Sequence, residues 1–327
     1  MSSSSSGKVR HLSFLASDLA EPFSKFEGLR TIYFPIRGVG PCSESFLYKC
    51  VSRFKCLRVL DLSDSTFNIL PRSIGKMKHL RYLDISRNLR IRRRPDTICR
   101  LQNLQFLSLR ECVEIEELPS DMRNLINLRY LDITTKQHFL PEEEIESLRS
   151  LRHLYFCECP NLSSLSRMQQ ITNIRTIGID SCRNLKSLPL DVSLLTSLRS
   201  LLISYCENLY LSGREGEKIS YKWPSLQTLA LAGLPTLVKL PSWLYGSANT
   251  LKTIKIDDCP NFDALPAWFA ELSSLEKLYI NKCPNLYTLR GIRYVTSLQV
   301  LGVGDCPELI QSRNRCFLAR DSSCFTG

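Results

Sequence analysis

Four stretches of this chain decide its fold: Leu57-Arg-Val-Leu60-Asp-Leu62, Leu80-Arg-Tyr-Leu83-Asp-Ile85, Leu104-Gln-Phe-Leu107-Ser-Leu109 and Leu128-Arg-Tyr-Leu131-Asp-Ile133. The same L-x-x-L-x-L phrase restarts at Leu151, Ile174, Leu198, Leu226, Leu251, Leu275 and Leu298, every 23–25 residues except for one interval of 28. Two degenerate units, around Val9–Phe14 and Leu29–Phe34, precede them. Within each phrase the apolar side chains alternate, which is the pattern of a short strand with one buried face. A unit of some 24 residues cannot bury that face by itself, but a stacked neighbour can. The strands should therefore pair in parallel, about 4.8 Å apart. The later half of many units starts at Leu-Pro and continues with apolar residues three or four apart. Leu70-Pro71 leads to Ile74 and Met77, Leu118-Pro119 to Met122 and Leu125, Leu188-Pro189 to Val192 and Leu195, and Leu265-Pro266 to Phe269 and Leu272. Proline at the start and that spacing predict a helical or 3-10 turn on the side away from the strands.

This phrase and its period resemble the leucine-rich repeat. The resemblance implies an α/β repeat solenoid, a horseshoe with a concave parallel sheet and a convex side of short helices, 3-10 turns and loops. Residues 1–56 form an N-terminal segment holding the two degenerate repeats. Residues 57–310 hold about eleven repeats, with a loop insertion near 210–223, and residues 311–327 lose the period and form a tail. The N-terminus lacks the apolar core of a secretory signal. No uncharged apolar run reaches the ~20 residues of a membrane span.

The fourteen cysteines are too dilute in 327 residues for a disulfide scaffold. Seven of them, Cys112, Cys159, Cys182, Cys206, Cys259, Cys283 and Cys306, fall at the ninth position of the repeat. A small polar side chain there turns inward and can reach the backbone of the bend. Cys159, Cys182 and Cys206 lie on consecutive units, but parallel Cβ vectors ~4.8 Å apart exceed the ~3.8 Å of a disulfide. Reduced thiols are expected, in keeping with a reducing compartment. Cys-Pro-Asn-Leu at residues 159–162 and 283–286, with variants at 259–262 and 306–309, reads as a turn.

The fuller phrase L-x-x-L-x-I-x-x-C-P-N-L-x-x-L-P is similar to the repeat domain of plant intracellular nucleotide-binding leucine-rich-repeat disease-resistance proteins. The opening Lys8-Val-Arg-His-Leu-Ser-Phe14 resembles the segment with which that domain begins, and the similarity runs over roughly residues 8–310. No G-x-x-x-x-G-K-[ST] phosphate loop is present and no space for a nucleotide module precedes the repeats, so ATP switching is not carried over. The resemblance implies a cytoplasmic protein, with the nucleus as a second location. It also implies a protein ligand: a pathogen effector, a guarded host protein or a receptor domain.

Repeat position two carries Arg58, Arg81, Arg129, Arg152, Arg175 and Arg199, with Lys252 further on. Like charges ~5 Å apart repel by only ~0.8 kcal/mol in water, so such a row is tolerable on a solvated surface. Two readings stand: solvated arginines, some paired with Asp61, Asp84 and Asp132, or an electropositive edge that steers an acidic partner. Position three carries Tyr82, Phe106, Tyr130 and His153 on consecutive units. They should form an outward stripe, either an interface anchor or rings packed on one another. Together with Arg58, Arg81, Arg129, Arg152, Arg175 and Arg199 they are the candidate protein-binding face.

Other features carry less. The run Arg87-Asn-Leu-Arg-Ile-Arg-Arg-Arg94 is basic but has no nucleic-acid-binding motif around it. Glu142, Glu143, Glu144 and Glu146 read as solvated surface on a convex helix. The histidines His11, His79, His138 and His153 lie on different repeats, with no nucleophile elbow, HExxH or glycine-rich phosphate loop near them. No catalytic, cofactor or metal residues are nominated, and no small-molecule substrate is evident. The leading expectation is a non-catalytic recognition module in plant defence, regulating a nucleotide-binding switch or sensing an effector. A stand-alone signalling scaffold and a substrate-recognition subunit for ubiquitin ligation are the alternatives.

Overall fold

The computed structural model describes residues 9–14, 28–40, 44–92, 96–165, 171–188, 195–211 and 225–309. Part of the arginine run (93–94), the Leu188 unit's Pro189 and Val192, most of the 210–223 insertion and the 311–327 tail lie outside them. The chain divides into two units, Met1–Cys159 and Pro160–Gly327.

The first unit holds seven parallel strands in chain order. They are β1 (His11–Ser13), β2 (Thr31–Tyr33), β3 (Val59–Asp61), β4 (Tyr82–Asp84), β5 (Phe106–Ser108), β6 (Tyr130–Ile133) and β7 (His153–Cys157). Register follows the repeat: Leu83 lies opposite Leu60 and Leu107, and Leu131 opposite Leu107 and Leu154. Those leucines and Leu57, Leu80, Leu104 and Leu128 are fully buried. One such side chain contributes about 1.5–3 kcal/mol on burial, and each coil supplies several. The first coils are closed off by α1 (Glu44–Arg53), whose Leu47, Cys50 and Val51 are buried, and by stacking of Phe14 on Phe34 at 5.2 Å with Phe46 edge-on.

The second unit repeats the arrangement with β8 (Thr176–Asp180), β9 (Ser200–Ser204), β10 (Thr228–Ala232), β11 (Thr253–Asp257), β12 (Lys277–Asn281) and β13 (Val300–Gly304). All neighbours are parallel and in repeat register. Leu278 and Ile280 of β12 are fully buried, whereas the equivalent Leu301 and Val303 of β13 are 47% and 38% exposed. A strand's inner face is covered by the coil that follows, and no described coil follows β13.

Opposite the strands, 3-10 turns span Arg72–Lys76, Asp96–Arg100, Met122–Asn124, Ser242–Ser247, Ala267–Glu271 and Ile292–Tyr294. Three of them are led by Pro71, Pro241 and Pro266, with φ near −65°. Their carbonyls accept from the amides of Ile74, Leu244 and Phe269, which starts the turn at a residue with no amide to lose. The short helix α2 (Glu142–Glu146) corrects the expectation of a solvated acidic cluster. Glu144 is buried, accepts from the Arg123 amide at 3.0 Å and forms an ion pair with the Arg123 guanidinium.

Ninth-position thiols point inward as expected and remain free. Cys112 donates to the Ile85 carbonyl at 3.0 Å, and Cys182, Cys206, Cys259, Cys283 and Cys306 donate to carbonyls two residues back at 3.1–3.5 Å. Ser65 and Asn88 occupy the same position earlier in the chain. Ser65 Oγ donates to the Leu62 carbonyl at 2.7 Å, and Asn88 Nδ2 reaches the carbonyls of Leu62 and Ile85. Burial pushes the thiols of Cys112, Cys206 and Cys283 up to about 12 and that of Cys259 to about 11.

One residue earlier, all but one of the described bends from the Leu57 coil onward use a left-handed backbone. Asp64, Arg87, Glu111, Glu158, Ser181, Tyr205, Asp258, Lys282 and Asp305 have φ of 49–58°, and Gly233 has φ 59°. The coil beginning at Leu128 lacks the feature, and its equivalent residue is Thr135, whose branched Cβ disfavours that conformation.

Candidate functional site

Odd-numbered positions of each strand face away from the leucines, so register alone lines up the outward side chains of the first unit. Tyr82 pairs with Phe106, Phe106 with Tyr130 and Tyr130 with His153. Strand spacing then places the rings face to face. The Tyr82–Phe106 centroids lie 4.1 Å apart with planes at 9°, and Phe106–Tyr130 are 4.3 Å apart at 11°. Tyr130 also meets Tyr155 at 5.2 Å and His153 at 6.3 Å. All five are half-buried. The rings pack on one another and remain half-exposed.

A second row runs beside it. Asp61, Asp84, Ser108 and Asp132 lie in register at the fifth position. Asp61 accepts from the amides of Phe34 and Ser63, and Asp84 from that of Ser86. Tyr82 and Tyr130 hydroxyls donate to Asp84 and Asp132 at 3.4 and 3.5 Å. Burial, and then the neighbouring carboxylate, push both phenols above their ordinary value, so they stay protonated donors. Burial likewise raises the Asp61 carboxyl against the hydrogen bonds that favour its charge. Arg110 stands 4.0 Å from Asp132.

The arginines flank the rings at the strand entrances. The Arg58 carbonyl accepts from the amides of Arg81 and Tyr82, that of Arg81 from Gln105 and Phe106, and that of Arg129 from Arg152 and His153. This fixes the backbone at each position two. The side chains of Arg58, Arg81, Arg129 and Arg152 are exposed and have no ion-pair partner among the described residues. Pairing with Asp61, Asp84 and Asp132 is not what holds them, because those carboxylates are turned toward backbone amides and tyrosine hydroxyls.

Arg175 and Arg199 belong to the second unit, where the Arg175 carbonyl accepts from Arg199 and Ser200. Both are exposed. Their strands carry Thr176 and Ser200 rather than rings, followed by Thr228 and Thr253. Polar ladders replace the stack: Ser204 donates to Asp180 at 2.7 Å, Asn281 to Asp257 at 2.7 Å, and Lys255 lies 5.6 Å over the Tyr279 ring. The structure brings together Arg58, Arg81, Tyr82, Phe106, Arg129, Tyr130, Arg152 and His153. Sequence reasoning placed Asp84 and Asp132 beside the arginines but missed Tyr155 as a member of this face, although it sits two residues beyond His153 and period two puts it on the same side.

Among the described residues no group of three or more His, Cys, Asp or Glu side chains could hold a metal ion, and no helix is long and apolar enough to cross a membrane.

The family described as leucine-rich repeat region matches residues 39–257, more than half of the chain. The disease resistance protein RPP5 of Arabidopsis thaliana is 26% identical over 180 residues, covering 51% of this chain and 12% of that protein. The disease resistance protein RPS4B of Arabidopsis thaliana is 30% identical over 169 residues, covering 50% of this chain and 14% of its own. The chain thus spans little more than a tenth of the length of these relatives. Among solved structures, the leucine-rich repeat domain of the type III effector XopL superposes with a TM-score of 0.52 at 29% identity, over 64% of this chain and 72% of that one. The chain belongs to the leucine-rich-repeat family, and its relatives are plant disease resistance proteins.

Proposed function

We propose that this leucine-rich-repeat chain is a non-catalytic recognition module in plant defence, binding a protein ligand on the sheet face of its first unit. One observation carries the reading: a continuous aromatic stack bordered by four arginines without ion-pair partners among the described residues. Aromatic and arginine side chains are the usual anchors of protein interfaces. The rings are already ordered by stacking, so little rotamer entropy is lost when a partner covers their edges. The arginines add long-range attraction for an acidic partner, in a chain of formal net charge +11.

Relationship to disease resistance proteins supports a ligand that is a pathogen effector or a host protein altered by one. It equally supports a role in holding a nucleotide-binding switch. The buried reduced thiols favour the cytoplasm, with the nucleus accessible.

The test is affinity capture from infected and healthy plant tissue with the wild-type chain and an Arg81→Glu, Arg129→Glu, Arg152→Glu variant. Exposed arginines can be reversed without touching the core, so folding is retained. Loss of a specific captured protein in the variant is expected. Equal capture by both chains, or capture of ubiquitin-ligase subunits alone, rejects the assignment.

A further inference from the structure

On the connections that follow β3, β4 and β5, away from the aromatic face, lies a cleft of about 480 Å³ lined by Asn68, Ile69, Leu89, Arg90, Arg92 and Glu114. Ile69 and Leu89 are 49% and 58% exposed. Two large aliphatic side chains on successive coils are thus left in water among charged neighbours, a combination that marks interaction surfaces more than scattered apolar residues do. Their backbone is held from below. Phe67 and Asn88 are buried, and the Asn88 amide donates to the carbonyls of Leu62, Ile85 and Ser86. The cleft is therefore formed before anything enters it, which lowers the ordering cost of binding.

Its charge is one-sided. Arg90 is exposed and has no ion-pair partner among the described residues. Arg92 Nε lies 3.3 Å from one Glu114 oxygen, and Lys136 Nζ lies 3.4 Å from the other. The charged residues that line the cleft are Arg90, Arg92 and Glu114, two cations to one carboxylate, so the excess there is positive. Arginine offers a planar fork that matches a carboxylate.

We propose that this cleft binds an extended peptide segment of a partner protein in which aliphatic side chains alternate with aspartate or glutamate. The aliphatic groups cover Ile69 and Leu89, one carboxylate pairs with Arg90, and another competes with Glu114 for Arg92. A polyanion or an anionic membrane satisfies the arginines but has no use for Ile69 and Leu89. A plain apolar segment has no use for Arg90. The site is independent of the sheet face, and either can fail alone.

The test is a random 12-residue peptide display library panned on the full chain. Enriched peptides are then synthesised with fluorescein and titrated by polarisation against wild type, Ile69→Ser, Leu89→Ser, Arg90→Glu and Arg152→Glu. Enrichment of acidic residues beside Leu or Ile is expected. Affinity should fall about tenfold or more in the first three variants and stay unchanged in Arg152→Glu, with circular dichroism unaltered throughout. No enrichment, enrichment without that pattern, or equal affinity for Leu89→Ser overturns the proposal. So does binding of phosphatidylserine vesicles or a 20-nucleotide DNA that is lost in Arg90→Glu and kept in Leu89→Ser, because that result assigns the cleft to any anion.

Discussion

Replacing Phe106 by alanine removes the middle ring of the stack, and its cost follows from the geometry. The ring is sandwiched at 4.1 and 4.3 Å with planes within 11° of its neighbours. Each such pair contributes about 0.5–1.5 kcal/mol beyond area burial. The side chain is half-buried, so its transfer contributes roughly half of the 1.5–3 kcal/mol for complete burial. Together these give a loss of about 2–4 kcal/mol. Phe106→Leu retains most of the burial and loses only the stacking, about 1–3 kcal/mol. Urea unfolding followed by circular dichroism measures both. Repeat arrays can lose all-or-none behaviour, so a tyrosine fluorescence trace is recorded alongside to show whether the transitions coincide. A cycle of Phe106→Ala with Tyr130→Ala should return a coupling of about 0.5–1.5 kcal/mol. A loss below about 0.5 kcal/mol with no coupling would refute a stack in which residues 24 apart in sequence share a face.

Three further outcomes follow from the bends and the buried groups. The thiols of Cys112, Cys206, Cys259 and Cys283 are raised from 9.0 to about 11–12. Their contribution is complete below pH 9 and is lost as pH climbs toward 11–12, because the unfolded thiols ionise first. Under reducing conditions the unfolding free energy from urea titration should fall between pH 8 and pH 10, by about 1 kcal/mol for each such cysteine, and a flat profile would contradict the burial. A Cβ on Gly233 would stand 2.4 Å from the Tyr205 ring at φ 59°. Gly233→Ala should therefore lose about 1–3 kcal/mol, whereas Lys282→Gly, at φ 52°, should be neutral or stabilised by up to about 1 kcal/mol; thermal denaturation ranks the two. Glu144→Ala removes the acceptor for the Arg123 amide and its ion pair, for a loss of about 1–3 kcal/mol in urea, while Glu143→Ala on the exposed side of α2 should change stability by less than about 0.5 kcal/mol.

Strands and inward thiols were legible because each obeys a strict spacing. Leu60, Leu83, Leu107 and Leu131 can be buried together in one way only, and the ninth position can reach only the bend beneath it. The eighth position was not legible. Its left-handed residues include Arg87, Tyr205 and Lys282, none of which favours that conformation, so stacking imposes a backbone state that local preference does not announce. Glu144 was misread for a related reason. Four glutamates among five residues look uniformly solvated until the helix phase turns Glu144 toward Arg123 on the preceding coil. At the candidate site, the row of rings followed from position three, but their half-burial depended on strand spacing, and the isolation of the arginines depended on where Asp61 and Asp84 spend their hydrogen bonds. Tyr155 joined the stack because β7 carries an aromatic side chain at the fifth position, where β4–β6 carry aspartate or serine.

Hydroxyl-radical footprinting of the chain with and without a protein it captures from plant tissue is the decisive measurement, because aromatic rings report their own exposure. Oxidation of Tyr82, Phe106, Tyr130 and Tyr155 should slow in the complex, while Tyr245, Tyr287 and Tyr294, which are 50%, 51% and 58% exposed on other surfaces, should react as before. Unchanged rates along the stack, with slowing at Tyr245, Tyr287 or Tyr294 instead, would place the ligand elsewhere and contradict recognition through the sheet face of the first unit.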